Sequence, residues 1–152
     1  MYKKILFGTC LTEYCDHIFN FVVNLAQENN ASLWIYYGLE KQAGISEEEQ
    51  RETIKKGEAQ VAEAYVDRLK AKGFTKYQIN VSEGDVVGEM TQLAKNAGID
   101  VIVMGTSTKT PLAAGEDITG IALGEITAEA VLAAPCPVLI VPPSLIPGLA
   151  QG

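Results

Sequence analysis

Cysteine and histidine, which mark many secreted and metal-binding proteins, are scarce in this sequence. The chain of 152 residues has three cysteines and one histidine. An odd number of cysteines does not make a disulfide framework, so we expect a reducing compartment and a cytoplasmic protein. Long apolar runs are also missing. The longest, residues 130–141, is interrupted by Pro135 and Pro137 and falls short of the ~20 residues that a membrane-spanning helix needs.

Basic residues are outnumbered by acidic ones. Lys and Arg total 12 against 19 Asp and Glu, which gives a formal net charge of -7. Such a surface repels phosphate backbones and anionic headgroups, so neither nucleic acid nor a membrane surface is an expected partner. Apolar residues make up 47% of the chain, enough to bury a core. We expect one domain over residues 1–143, followed by a C-terminal tail over residues 144–152.

Strand-like and helix-like segments alternate along the chain. Short apolar runs predict five buried strands, at residues 4–7, 31–37, 77–81, 99–104 and 137–141. Apolar residues at helical spacing predict a helix in each of the four intervals between them. This alternation favours an α/β fold, a single doubly wound domain with a five-stranded parallel sheet flanked by helices.

The predicted helices carry start and stop signals. Ser46 followed by Glu49 is a capping box at the start of the longest helix. Asp85 is positioned to cap the third helix, and Gly98 to end it. The buried face of the first helix is predicted from four residues at helical spacing, Ile18, Phe21, Val22 and Leu25. In the last helix, the apolar positions are Ile126, Ala130 and Val131.

A ligand of such a sheet is expected beyond the carboxyl ends of the strands, near the point where the strand order reverses. The candidate segments are residues 8–13, residues 38 onward and residues 105–123. The last is longer than the ~12–15 residues that an unstructured connection usually reaches, which favours a functional loop.

Several enzyme signatures are absent from this sequence. The second glycine and the lysine of a phosphate-binding loop beginning at Gly105 would fall at Thr110 and Pro111. No Gly-x-Gly-x-x-Gly follows any predicted strand, and His17 has no serine partner in a nucleophile elbow. No catalytic constellation remains, so we expect no enzymatic reaction.

Two C-terminal segments, IDVIVMGT at residues 99–106 and AAPCPVLIVP at residues 133–142, resemble the universal stress protein family. The segments YKKILF at residues 2–7 and EGD at residues 83–85 are similar to it too. The resemblance spans nearly the whole chain and implies the adenine nucleotide alpha hydrolase-like fold. It also implies a regulatory or protective role in the stress response.

The resemblance further implies a homodimer paired through the last strand. The residues that would form this contact are Val138, Leu139, Ile140 and Val141. At the edge of a sheet they would leave an exposed apolar strand in a monomer, which is a physical reason for pairing.

Many members of that family bind ATP through a glycine pattern after the fourth strand, and this sequence departs from the pattern. Gly105 and Gly124 match its first and last glycines, but Thr108 replaces the second glycine and Glu125 a hydroxyl residue. Cys10 stands where ATP-binding members have an aspartate. These departures from the family pattern predict a degenerate nucleotide pocket.

If a nucleotide binds, the resemblance implies ATP or AMP, with slow ATPase activity as an alternative. The candidate contacts are Gly8, Thr9, Cys10, Met104, Gly105, Thr106, Thr108, Gly124 and Glu125. Glu116, Asp117 and Glu125, against the single base Lys109, would oppose a triphosphate that no Mg²⁺ bridges.

A further alternative is a redox or metal sensor built on Cys10, Cys15 and His17. A position at the start of a helix would lower the pKa of Cys15, and thiols and imidazole are ligands for transition metals. In the structural interpretation, Cys10 is a small packed hydrophobe and His17 a solvated residue. The C-x4-C-x-H spacing matches no strong zinc pattern, so no metal site is assigned.

Overall fold

The computed structural model describes residues 1–106 and 123–145. The elements in chain order are β1 Lys4–Thr9, α1 Glu13–Asn29, β2 Ser32–Leu39, α2 Glu47–Ala71, β3 Tyr77–Glu83, α3 Val86–Ala97, β4 Val101–Gly105, α4 Glu125–Ala133, β5 Val138–Val141 and a short 3-10 helix, Pro143–Leu145. Thr108, most of the predicted functional loop and nearly all of the predicted tail lie outside the described residues.

The sheet confirms the predicted fold class. Its order is β3-β2-β1-β4-β5, and every neighbouring pair is parallel. The chain proceeds outward from β1 to β3 on one side of the sheet and then crosses to β4 and β5 on the other. The strand order therefore reverses between β1 and β4, where open parallel sheets bind their ligands. No helix in the described ranges is long and apolar enough to span a bilayer.

Helices α1 and α2 cover one face of the sheet, which we call the aromatic face. The rings of Phe19 and Tyr65 stack with centroids 4.3 Å apart, and Phe7 meets Tyr65 edge-on at 6.0 Å. All three side chains are fully buried. The Arg68 guanidinium lies 4.6 Å above the Phe19 ring and donates to the Asp16 carbonyl, so it links the two helices.

Helices α3 and α4 cover the opposite face, which we call the methionine face. Its largest flexible side chains are Met90 and Met104, packed with small residues such as Ala94 and Ala130. The buried layer also includes Leu6, Ile99, Ile102 and Tyr36. Among the described residues, Tyr36 is the one buried ring of this face, and it forms no ring cluster like that of the aromatic face.

Several local predictions hold, and the predicted buried faces of two helices, α1 and α4, need correction. The Ser46 side chain accepts from the Glu49 N–H at 3.2 Å, and Gly98 ends α3 with φ 70°. Asp85 occupies the cap position of α3, but its side chain makes no capping bond there. The predicted face of α1 is wrong at Phe21, which is 40% exposed while Phe19 is fully buried.

In both α1 and α4, an apolar residue predicted to be buried is exposed, and a residue outside the predicted face is buried instead. In α1, Ile18 and Val22 are buried as predicted. Phe19, Val23 and Ala26 are buried in place of the predicted Phe21 and Leu25. In α4, Val131 is 46% exposed, and the buried residues are Thr127 and Ala130. Because apolar residues lie on more than one side of each helix, the sequence alone does not decide which of them pack against the sheet.

Candidate functional site

A cleft of about 300 Å³ opens at the carboxyl ends of β1, β2 and β4, at the reversal of strand order. Helices α3 and α4 bound it on the methionine face. Its lining comprises Gly8, Thr9, Cys10, Cys15, Tyr36, Tyr37, Gly38, Leu39, Glu40, Val86, Met90, Met104, Gly105, Ile126 and Thr127.

Two glycines at the ends of the central strands shape the floor of the cleft. A Cβ atom at Gly8 would lie 3.4 Å from the Met90 sulfur and 4.0 Å from the Met104 Cβ, so it would fill open space without a severe clash. A Cβ atom at Gly105 would come within 2.7 Å of the Tyr14 ring. Gly8 therefore keeps the floor open, whereas Gly105 allows β4 to pack on α1.

Backbone contacts at the end of β4 fix the rim beside α4. The Thr106 N–H donates to the Tyr14 hydroxyl at 3.1 Å, and that hydroxyl donates to the Val141 carbonyl. The Gly124 N–H donates to the Thr106 carbonyl at 3.0 Å. The hydroxyl of Thr127 donates to the Gly105 carbonyl at 3.0 Å. The first turn of α4 is thereby held against the carboxyl end of β4.

Helix α4 begins at the edge of the cleft, and no side chain of the described residues caps its first turn. Its cap position is Gly124, which makes no side-chain bond to the first turn. The next residue, Glu125, is exposed, and the two that follow it, Ile126 and Thr127, line the cleft. The first backbone N–H groups of a helix have no partner within the helix, so an acceptor in the cleft beside this turn would satisfy them.

Of the nine predicted nucleotide contacts, five line the cleft: Gly8, Thr9, Cys10, Met104 and Gly105. Three others border it at the start of α4 and the end of β4: Thr106, Gly124 and Glu125. Thr108 is outside the described residues.

The hydroxyl of Thr9 is already engaged within the protein. It shares a hydrogen bond of 2.7 Å with the Tyr65 hydroxyl and accepts from the Leu11 N–H at 3.1 Å. Burial raises the pKa of Tyr65, and the hydrogen bond with Thr9 opposes that rise. Thr9 therefore contributes shape to the cleft, and its side chain joins β1 to α2.

The two cysteines near the cleft lie in contact. The sulfur atoms of Cys10 and Cys15 are 3.1 Å apart, and the Cys10 N–H donates to the Cys15 sulfur at 3.4 Å. The hydrogen bond from the Cys10 thiol lowers the pKa of Cys15 to about 6, although burial opposes this. The same bond, together with burial, raises the pKa of Cys10.

His17 does not join this pair. It lies two positions beyond Cys15 in α1, which places the two side chains about 200° apart around the helix axis, on opposite sides. Among residues 1–106 and 123–145, no group of three or more His, Cys, Asp or Glu side chains is arranged to hold a metal ion. Thr12, not His17, completes the local hydrogen bonding, because its hydroxyl accepts from the Cys15 N–H at 3.2 Å.

Sequence reasoning named residues 38 onward, Gly124 and Glu125 as candidates, but it did not single out the cleft wall from α3 or Thr127 of α4. Tyr36 hydrogen-bonds to the Ser82 hydroxyl at 2.6 Å, and burial raises its pKa. Val86 and Met90 belong to the apolar stripe of α3, which the sequence presents as ordinary core. One signal was available, since Val86 lies in the first turn of a helix, next to the carboxyl end of the sheet.

Comparison with known proteins agrees with the fold. The model of the universal stress protein family matches residues 1–142. A universal stress protein of Methanocaldococcus jannaschii is 29% identical over 146 residues, covering 93% of this chain and 82% of that protein.

Solved structures of relatives are similar over nearly their whole length. A universal stress protein in complex with cAMP has a TM-score of 0.69 and 25% identity, and the match covers 92% of this chain and 97% of that one. A family protein from Arabidopsis thaliana with AMP bound has a TM-score of 0.61 and 17% identity, covering 92% and 91%. The family match, together with the strand order and its cleft, establishes that this chain belongs to the universal stress protein family.

Proposed function

We propose that this protein binds an adenine nucleotide with a single phosphate, AMP or cAMP, in the cleft between β1 and β4. Nucleotide occupancy would regulate a protective role in the stress response, with no reaction of the protein's own. The observation that carries the proposal is the cleft itself, which lies at the topological switch point beside the N-terminus of α4, where the cap residue is glycine.

The start of α4 supplies a site for the phosphate. Backbone N–H groups at a helix N-terminus, together with the positive end of the helix dipole, favour an anion. Gly124 leaves this turn without a capping side chain, and Ile126 and Thr127 bring it to the cleft. A phosphate oxygen is an acceptor of the type that such N–H groups bind.

The charge around the cleft favours one phosphate over three. None of the described lining residues is Lys or Arg, and Glu40 is among them. Glu125 adds a second carboxylate at the start of α4. Each additional phosphate would add negative charge without a cation among the described lining residues to neutralise it. The cleft volume of about 300 Å³ is also at the small end of ligand pockets, which supports a mononucleotide.

The rest of the cleft lining is less specific for an adenosine than the start of α4 is for a phosphate. Met90, Met104 and Val86 offer unbranched or small apolar surface to a base. Cys10 replaces the aspartate that the family resemblance assigns to the nucleoside, so a carboxylate acceptor for the ribose is missing there. We expect selectivity for the nucleotide to be set at α4, with modest affinity. The relative that binds cAMP, at 25% identity, supports this choice of ligand.

Two glutamates on α4 provide a matched test of phosphate binding. Both Glu125 and Glu129 are exposed, but only Glu125 lies in the first turn. Glu125→Gln removes a charge that competes with phosphate, so AMP should bind about 2–5-fold more tightly, equivalent to 0.3–1 kcal/mol. Glu129→Gln should leave the dissociation constant unchanged, since the dipole effect decays within one turn.

Calorimetry with AMP, cAMP and ATP, with and without Mg²⁺, completes the test. We expect AMP or cAMP to bind more tightly than ATP. Absence of binding by all three would contradict the proposal, as would equal effects of the two substitutions. Tighter binding of ATP with Mg²⁺ than of AMP would instead support the ATP-binding alternative.

We also propose a homodimer paired through β5, in a cytoplasmic protein. The strand lies at the edge of the sheet, and its residues Val138, Leu139 and Ile140 are only partly buried. Nearby on α4, Leu132 is 88% exposed. Pairing would cover this apolar edge. Sedimentation velocity should give twice the mass of the chain, and a single-chain mass at every concentration tested would contradict pairing.

A further inference from the structure

The nucleotide proposal leaves the two thiols beside the cleft without a role. Cys10 and Cys15 both line it, at the carboxyl end of β1 and in the first turn of α1. Their sulfur atoms are 3.1 Å apart, and all three cysteines of the chain are free thiols. The third, Cys136, precedes β5 and packs against the methionine face.

The local backbone suits bond formation between these two sulfur atoms. A disulfide requires them to approach to about 2.05 Å. Cys10 follows the last residue of β1, in the short connection before α1, and is half-buried. It can therefore move toward Cys15, which α1 holds in place. The hydrogen bond from the Cys10 N–H to the Cys15 sulfur already orients the two groups.

The surroundings stabilise one thiolate and one thiol. The hydrogen bond from Cys10 lowers the pKa of Cys15, with the Cys10 N–H and the Thr12 hydroxyl contributing. The other titratable groups nearby are Tyr65 of α2, Asp16 of α1 and Glu40 on the cleft rim. At neutral pH the pair therefore combines a nucleophilic Cys15 with a protonated Cys10 that can resolve an oxidised intermediate. Burial, in contrast, raises the pKa of Cys136.

We propose that Cys10 and Cys15 are a peroxide-responsive dithiol whose oxidation to a disulfide controls access of the nucleotide to the cleft. The Cys15 thiolate attacks a peroxide oxygen, the O–O bond breaks, and the leaving oxygen takes a proton to become water. The sulfenic acid on Cys15 is then attacked by the Cys10 sulfur. The S–S bond forms, and the hydroxyl leaves as a second water with the Cys10 proton. Two thiols lose two electrons, and hydrogen peroxide gains them.

Oxidation would change one wall of the cleft. Forming the bond draws Cys10 from the end of β1 toward α1, and it moves the backbone next to Gly8 and Thr9. The consequence for nucleotide binding rests on the proposed function, whereas formation of the disulfide does not. We expect the affinity for AMP to fall about tenfold, as for the loss of one well-placed contact.

Intact mass spectrometry after treatment with hydrogen peroxide tests the pair. The reduced protein is oxidised, denatured and alkylated. The wild type should lose two of its three alkylatable thiols, with peptide mapping joining Cys10 to Cys15. The Cys136→Ser control should form the same disulfide. The variants Cys10→Ser and Cys15→Ser should not form it. In the wild type, both thiols should return on reduction.

The outcomes separate this proposal from the nucleotide proposal. Failure of the wild type to form the disulfide would overturn it, as would a linkage through Cys136. A disulfide with equal AMP affinity in both states would overturn control of the cleft. A disulfide in a protein that binds no nucleotide in either state would also overturn that control, while removing the proposed function and leaving the redox pair. Should Cys15→Ser fail to fold, Cys10→Ser at the half-buried position carries the same test.

Discussion

The aromatic and methionine faces of the sheet bury their side chains in different ways. On the aromatic face, Phe7, Phe19 and Tyr65 pack ring against ring and are fully buried. On the methionine face, Met90 and Met104 pack with alanines, aliphatic residues and the single buried ring of Tyr36, and both methionines also line the cleft. Among the described residues, the aromatic face therefore has a cluster of rings in mutual contact, whereas the methionine face has no such cluster and has two flexible side chains at the cleft.

This difference assigns separate tasks to the two faces. Interlocked rings have few ways to rearrange, so the aromatic face holds α1 and α2 firmly to the sheet. Methionine has three rotatable side-chain bonds and a polarisable sulfur, so it adapts to a ligand at low cost. The aromatic face is expected to determine stability, and the methionine face to determine what the cleft accepts.

The largest expected effect compares equivalent truncations on the two faces. Phe19→Ala should lower the free energy of unfolding by about 3–5 kcal/mol, because it removes a buried ring from a stacked cluster. Met90→Ala should cost about 2 kcal/mol, at the low end for methionine, because its cavity opens into the cleft and can hydrate. Urea denaturation followed by circular dichroism measures both. Equal losses would remove the distinction between the faces.

A second substitution targets the cleft without the core. Gly8→Ala places a methyl group 3.4 Å from the Met90 sulfur, on the floor of the cleft. We expect AMP affinity to fall about tenfold, or 1.4 kcal/mol, while the fold is retained. Calorimetry gives the affinity, and thermal unfolding serves as the control. A loss of stability with unchanged affinity would place Gly8 in the scaffold.

The smallest expected effect concerns the hydrogen bond that joins β1 to α2. Tyr65→Phe removes the 2.7 Å bond to the Thr9 hydroxyl and should cost about 1 kcal/mol at neutral pH. AMP affinity should not change, because the Tyr65 hydroxyl lies on the aromatic face. A loss of AMP affinity beyond twofold would contradict the assignment of stability to the aromatic face and of ligand binding to the methionine face.

The same substitution has a defined pH dependence. Burial raises the folded-state pKa of Tyr65 above its unfolded value of about 10. The folded state therefore holds the proton more tightly, and stability falls as pH rises through and above that unfolded value. Tyr65→Phe should show a smaller alkaline loss than the wild type, although Tyr36 contributes to both. Identical slopes above pH 10 would contradict this contribution.

The fold was predictable because its signals are local. Short apolar runs locate the strands, the Ser46 capping box marks the start of α2, and Gly98 with φ 70° ends α3. The general rule for parallel sheets then places the cleft at the end of β1, where Gly8 and Cys10 lie.

The orientation of helices and the far walls of the cleft were not predictable in this way. Phe19 and Phe21 are both apolar, and only packing against Tyr65 and Phe7 decides which is buried. Met90 is a core residue by its spacing, and its position on the cleft depends on how α3 meets β1. The contact between the two cysteine sulfurs likewise depends on the turn that follows β1.

The most direct test of the proposed nucleotide site uses the three methionines as reporters. Met90 and Met104 line the cleft, whereas Met1 is fully exposed at the N-terminus. In reduced protein labelled with ¹³C at the methionine methyl groups, NMR titration with AMP should shift the Met90 and Met104 signals together and leave Met1 unchanged. No shift at Met90 and Met104 at saturating AMP, or the same shift at all three, would contradict a nucleotide site on the methionine face.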